Sequence, residues 1–500
     1  MRGIPFRWRV LGCSMLVLAT SWVWIPACGD ETKPASRAIG SRLEPLVDRY
    51  LIAELRGVEH VSARPIDAGI AVPFDQPWEG AFCGYCTVIK DGPLYRLYYR
   101  GLPKAGRDGS NTETTCYAES KDGKTFTKPK LGLFEVMGSK ENNVILADAA
   151  PFSHNFSPFL DSRPDVPKDQ RYKALAGTSS TGLVAWVSED GLRWRKLQDE
   201  AVIQGGAFDS QNLAFWSSTE NCYVSYFRTF KRIGGEGYRW ISRTTSKDFV
   251  HWTPAEEMTF GGAPPEHLYT NQTSPYYRAP HLYVAIAARF MPGRKVLTDE
   301  QAREIQVDPG YFNDCSDGVM LTSRGGNAYD RTFMEGFVRP GIGPTNWVSR
   351  TSYPALNVVP TGEEEMSLYV SQSYGQPTAH LRRYTLRPDG FASVRATYSG
   401  GEFTTHPLTF DGSRLTVNFA TSAAGGIKVE IQDEDGAPLP GFALEESVEL
   451  IGNDLAREVR WQSGNDLSSL ANKVIKLRFS MKDADLYALQ FTSPPTPTKK

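Results

Sequence analysis

Three acidic residues stand where this sequence could do chemistry: Glu79 in "PWEG", Asp209 in "AFDSQN" and Asp314 in "FNDCSDG". Two carboxyl groups that face each other can cleave an acetal. One protonates the leaving oxygen while the other acts as nucleophile or base. Around them the chain offers groups suited to a polar, many-hydroxyl ligand: Trp78, Glu113, His154, Asn155, Arg239, Asn271, Gln272, Asp317 and Arg350. The pair Glu189-Asp190 in "SEDGLRW" looks equally reactive, but its setting recurs along the chain and marks it as a turn.

The recurrence shows what must position the rest. "SEDGLRW" (188–194) matches "ESKDGKTF" (119–126), "TSKDFVHW" (245–252), "TSRGGNAY" (322–329) and "LRPDGFAS" (386–393). Asp-Gly makes a hairpin and the aromatic residue after it plugs a core. Each copy follows three β-like runs, such as "YCTVI", "LYRLYYRG" and "TTCYA" before the first, and each unit spans about 55 to 75 residues. Five four-stranded units predict an all-β fold, a five-bladed β-propeller over residues 70–396. Strict alternation in "GSRLTVNFAT" and "KVIKLRFSMKDADLYALQF" predicts a C-terminal β-sandwich over 397–492, with a disordered tail at 493–500. The stretch 29–69 is expected to pack on the propeller as a short helix or strand.

In a propeller the first and third strands of each blade begin on the same face, so the loops leading into them crowd the axis. The residues before the first strands are Trp78-Glu79, His154-Asn155, Asp209, Asn271-Gln272 and Arg350. Those before the third strands include Arg107, Asp108, Glu113, Arg239, Asp314, Asp317 and His380. Glu79 and Asp209 are expected to form the reactive pair, with Asp314 and Glu113 in reserve. Glu79, beside Trp78, is expected to be the acid, because apolar surroundings raise a carboxyl pKa. Arg239 and Arg350 would bind hydroxyls or an anionic group such as uronate or sulfate. His154 would be a hydrogen-bonding wall. The alternative for each residue singly is that it caps a strand or satisfies loop backbone.

The composition narrows the partners. A net charge of −2 with 55 basic and 57 acidic residues leaves no basic field for nucleic acid. The 22 Tyr and 11 Trp suit either cores or sugar stacking. Arg2, Arg7 and Arg9 precede an apolar run over 10–25 and then Pro26-Ala27-Cys28, so residues 1–28 read as an export signal. "IPAC" also resembles a lipobox that would place a lipid on Cys28. The protein is therefore expected to be periplasmic, tethered to the outer membrane, or secreted, and monomeric. Cys83-Gly-Tyr-Cys86 lacks the second cysteine or histidine pair of a zinc site, so buried thiols are expected and no metal is assigned. No cofactor is expected, with a structural calcium on the axis left open. Neither GxSxG nor a phosphate-binding glycine loop occurs.

The Ser-x-Asp-Gly-x-x-Trp hairpin, counted over five blades, resembles the glycoside hydrolases that include invertases, levanases and arabinanases. The first of these groups also carries a C-terminal β-sandwich. "PWEG", "GYCTVIKDGPLYRLYYRG" and "DADLYALQF" are similar to exported bacterial relatives of those hydrolases. The resemblance spans residues 70–491 and implies an exported glycosidase acting on a plant or algal poly- or oligosaccharide through two carboxylates. The invertase motifs are absent. "WEG" replaces Asn-Asp-Pro-Asn, "HNFSP" replaces Arg-Asp-Pro, and the Glu-Cys of the third blade has no match in "ENC" at Glu220. Fructosidase activity does not carry over. A non-catalytic glycan-binding propeller and a polysaccharide lyase are the rival readings. A sialidase is disfavoured by five repeats, and Trp461 of the sandwich is expected in a core.

Overall fold

The computed structural model describes residues 36–493. The leader, Cys28 and nearly all of the tail lie outside them. The described chain is a five-bladed β-propeller followed by a β-sandwich. Blades 1 to 3 are antiparallel sheets of four consecutive strands: Gly84–Asp91, Leu94–Gly101, Thr114–Ser120 and Val144–Leu146; Ser157–Leu160, Tyr172–Ala176, Val184–Ser188 and Arg195–Lys196; and Leu213–Ser217, Cys222–Ile233, Glu236–Ser246 and Glu256–Glu257. In blade 4 the innermost position is split into Leu268–Thr270 and Thr273–Tyr276, both paired with Ala279–Met291, then Cys315–Ser323 and Gly336–Val338. The central strands Tyr172–Ala176 and Val184–Ser188 are buried at every position. Neighbouring blades cover both of their faces, so these strands are mostly apolar, and the one buried charge, Lys173, is paired with Asp161 at 2.7 Å.

The repeated turns hold the blade edges. Asp190 Oδ1 accepts from the Leu192 and Arg193 amides at 2.8 Å, and Ser188 Oγ accepts from the Gly191 amide at 2.9 Å. The same bonds recur around Asp122 and Asp248. The acidic pair of "SEDGLRW" is thus split: Asp190 is a turn clamp, and Glu189 pairs with Lys168 at the surface. Trp194 packs edge-on against Phe156, as a core plug should.

The last two matches differ from their expected form. The turn at 322–329 lacks an aspartate clamp; Ser323 Oγ donates to Ala328 O instead. The segment 386–393 does not lead to a fourth strand of blade 5. That blade comprises Tyr353–Pro354 with Val359–Pro360, then Met366–Gln372 and His380–Leu386, and its outer strand is Ile66–Pro73 from the other end of the chain. Pairing this early strand with His380–Leu386 closes the ring and covers the edge that His380–Leu386 would otherwise leave free.

The expected boundary at residue 70 therefore falls inside a strand, and the one at 396 falls after a strand of the sandwich. Ala392–Ala396 pairs with Val58–Ser62 and with Lys476–Thr492. Glu44–Pro45 and Ile52–Arg56 join the same eight-stranded sheet. The early segment also touches the propeller, where Arg324 meets Glu44 and Asp48 at 2.8 Å each. Phe403 stacks on Phe479 and Phe410 on Phe491 in the sandwich core, and Trp461 is buried with its indole donating to Val429 O.

Candidate active site

Second strands run opposite to first and third strands, so their ends reach the same face. Three loops, two second strands and two first strands therefore converge beside the axis. Asp209 lies ahead of Leu213–Ser217, His154 ends the short turn Phe152–His154, and Glu113 directly precedes Thr114–Ser120. Arg100 comes from Leu94–Gly101 and Arg228 from Cys222–Ile233. Tyr85 opens the first blade in the left-handed region at φ 52°, and Tyr269 stands in the first strand of blade 4.

These residues form one connected network. The buried His154 ring places Nδ1 2.8 Å from Glu113 Oε1 and Nε2 3.2 Å from Asp209 Oδ1. Arg228 Nη2 donates to Asp209 Oδ2 at 3.1 Å. The hydroxyls of Tyr85 and Tyr269 sit 3.4 Å from the two Asp209 oxygens. Arg100 binds Phe82 O and the Tyr374 hydroxyl and lies 4.0 Å from Glu113. Asp209 is the open member, with 39% of its side chain exposed. Burial opposes charge on both partners, but their interactions outweigh it. His154 and Arg228 hold the Asp209 carboxyl well below the usual carboxylate range, and Asp209 with Glu113 raises the His154 pKa.

Asp108, on the exposed loop before Glu113, completes a group with His154 and Asp209 whose ligand-type atoms lie within 4.8 Å of one another. Donors of this type could bind a divalent ion, with Glu113 orienting the imidazole from behind. The guanidinium already on Asp209 and Arg100 beside the imidazole set two positive charges against one.

The expected pairing of Glu79 with Asp209 does not occur. Glu79 is fully buried inside blade 1, where Tyr99 and Lys128 donate to its two oxygens at 2.5 and 2.7 Å and the Gln76 amide adds a third bond. Three donors, one of them 49 residues away in the chain, hold it there. Trp78 bonds Asn143 next to it. Asn155 staples Gly177 to Phe208, Asn271 caps its own strand at Thr273, and Gln272 bonds Gln211 and Pro354 O across the ring. These three amides are buried loop staples. Asp314 accepts from Ser349 and the Gly293 amide, and Asp317 is taken by Arg289 at 2.6 Å. Arg239 and Arg350 do reach the site, each with its guanidinium over the Tyr269 ring, at 5.4 and 5.8 Å. Arg350 lines a small pocket with Tyr85, Arg100 and Tyr269, and Arg239 lies over Phe290, a wall of a cleft of about 800 Å³ that Tyr238, His267 and Trp347 also line. All five described cysteines are free and buried.

No protein-family model matches the sequence, and no curated protein does. Among solved structures the chain is similar to a protein described as a glycoside hydrolase (11% identity, TM-score 0.44, 67% of this chain and 95% of that one). It is similar to an N-acetylgalactosamine deacetylase from F. plautii in complex with blood group B trisaccharide (12%, 0.43, 67% and 97%). It is also similar to a β-1,2-mannobiose phosphorylase from Listeria innocua (12%, 0.38, 65% and 92%). These are distant likenesses of overall shape, and the chemistry of this chain rests on its own residues.

Proposed function

We propose that this protein is a carbohydrate-active hydrolase that cleaves a glycosidic bond at the mouth of the propeller, with Asp209 and Asp108 as its two carboxyl groups. The carrying observation is the state of Asp209: open to solvent on one side, and held ionised by Arg228 and His154 on the other. An ionised, oriented carboxylate suits attack on an anomeric carbon. In this reading Asp108 protonates the glycosidic oxygen as its bond to that carbon breaks, and Asp209 forms the new bond. Water, deprotonated by Asp108, then releases the sugar and regenerates both groups. The short reach between the two carboxylates favours this double displacement, since retaining enzymes space them about 5–5.5 Å apart. Glu113 and His154 act as positioning residues.

The test is product chromatography of the purified protein on a panel of plant and algal glycans, followed by NMR of the newborn anomer. Release of a sugar with retained configuration supports the reading. Binding without release from any glycan points to a lectin and rejects hydrolysis; an ultraviolet-absorbing unsaturated product points to a lyase and does the same.

A further inference from the structure

Two arginines at this face have no carboxylate partner among the described residues. Arg228 is matched by Asp209, Arg100 faces Glu113, and Arg289 and Arg331 share Glu266 and Asp317. Arg239 and Arg350 have no such match. Neither guanidinium has a carboxylate within 4.0 Å or a hydrogen-bond acceptor among the described residues, and the buried Nε of Arg239 is left without a partner. What holds them is aromatic. Arg239 lies over Phe290 at 4.6 Å and Arg350 over Tyr311 at 5.0 Å, and both also reach Tyr269, whose hydroxyl touches Asp209.

Stacking fixes a guanidinium by its face and leaves its edge donors free, which is the arrangement that receives a planar or tetrahedral oxyanion. Arg350 adopts the left-handed backbone at φ 56°, a conformation that a non-glycine residue keeps only where the surroundings impose it. Trapping a buried donor without an acceptor is likewise unfavourable unless something supplies one. The adjoining cleft continues the pattern. Its acids Glu266 and Asp317 are both consumed by arginines, while its exposed Arg294 and Arg339 have no carboxylate within 4.0 Å among the described residues.

We infer that the sugar bound at this site carries an oxyanion, a carboxylate or a sulfate, received by Arg239 and Arg350, so that the natural ligand is an acidic glycan. The inference rests on the proposed carbohydrate site but not on hydrolysis there.

Calorimetry on the full chain separates the two. The probes are oligogalacturonides and sulfated galactan oligosaccharides, each beside its carboxyl-reduced or desulfated counterpart. At least one acidic member is expected to bind tenfold or more tighter than its neutral form. R239Q and R350Q should each abolish that preference, with R239K and R350K retaining part of it and thermal melts confirming that all four fold. Acidic-selective binding without sugar release would uphold the inference and remove the hydrolase. Equal binding of both forms, or turnover of neutral glycans unaffected by R239Q and R350Q, would overturn the inference and leave the hydrolase standing. Free phosphate is the other source of an oxyanion. If cleavage requires inorganic phosphate and the two variants raise only its KM, the arginines serve phosphorolysis and the inference fails.

Discussion

Glu113 holds His154 Nδ1 at 2.8 Å and thereby turns the opposite ring nitrogen onto Asp209 at 3.2 Å. Two buried groups thus define the orientation of one open carboxylate. Asp209→Asn is expected to lower kcat by about a thousandfold or more while glycan binding persists. Calorimetry beside single-turnover assays checks this. Glu113→Gln should reduce kcat less and shift the pH–rate profile, because it acts only through the imidazole.

Glu79→Gln is expected to do the reverse. It removes one charge of a buried pair, a change that typically costs about 3–5 kcal/mol. Lys128 keeps Asp75 at 2.9 Å as a second partner, so a loss nearer 2 kcal/mol is expected, with kcat preserved. Denaturant melts read beside activity decide it; a collapse of kcat in a fully folded variant would restore Glu79 to the reactive pair.

Stability should depend on pH through His154 and Asp209. The folded pKa of His154 is raised from its ordinary 6.5, so its contribution is complete below that value and fades as pH rises through the folded one. The folded pKa of Asp209 is depressed from 3.8, so its contribution is present above that value and fades as pH falls toward the folded one. His154→Gln should flatten the alkaline limb of a melting-temperature profile and shrink its acid limb, since Arg228 then holds the Asp209 carboxylate without the imidazole. An unchanged alkaline limb would show that the imidazole is uncharged in the fold.

The turn clamps should matter to stability alone. Asp190→Ala removes four hydrogen bonds at a blade edge, at a cost of about 1–2 kcal/mol, without altering KM. Gly191→Ala should cost more, since φ is +75° and the new methyl would meet the Tyr98 hydroxyl at 2.6 Å. Chemical denaturation ranks the two.

Much of this architecture could be read in the chain because turns and strands are local. Asp122, Asp190 and Asp248 each clamp amides two and three residues on, so these hairpins mark three of the five blades directly. Asp209, His154 and Glu113 were legible because they stand in loops that must converge. Arg100, Arg228 and Arg289 fall outside that pattern, because they stand within second strands rather than before first or third ones. Yet "LYRLYYRG", "CYVSYFRTF" and "VAIAARF" carry an arginine near the matching end of each second strand. Glu79 misled because its decisive partner, Lys128, is 49 residues away. The unopposed charge of Arg239 and Arg350 is likewise a property of what surrounds them.

The outer strand of blade 5 has a consequence for how the molecule is born. Ile66–Pro73 leaves the ribosome early, but its partner His380–Leu386 follows some three hundred residues later. Until then the strand has nowhere to dock, and the stretch before it must wait longer still for Lys476–Thr492. The ring and the sandwich are therefore fastened by the same early segment. No single cut in the chain would release either as a self-sufficient piece.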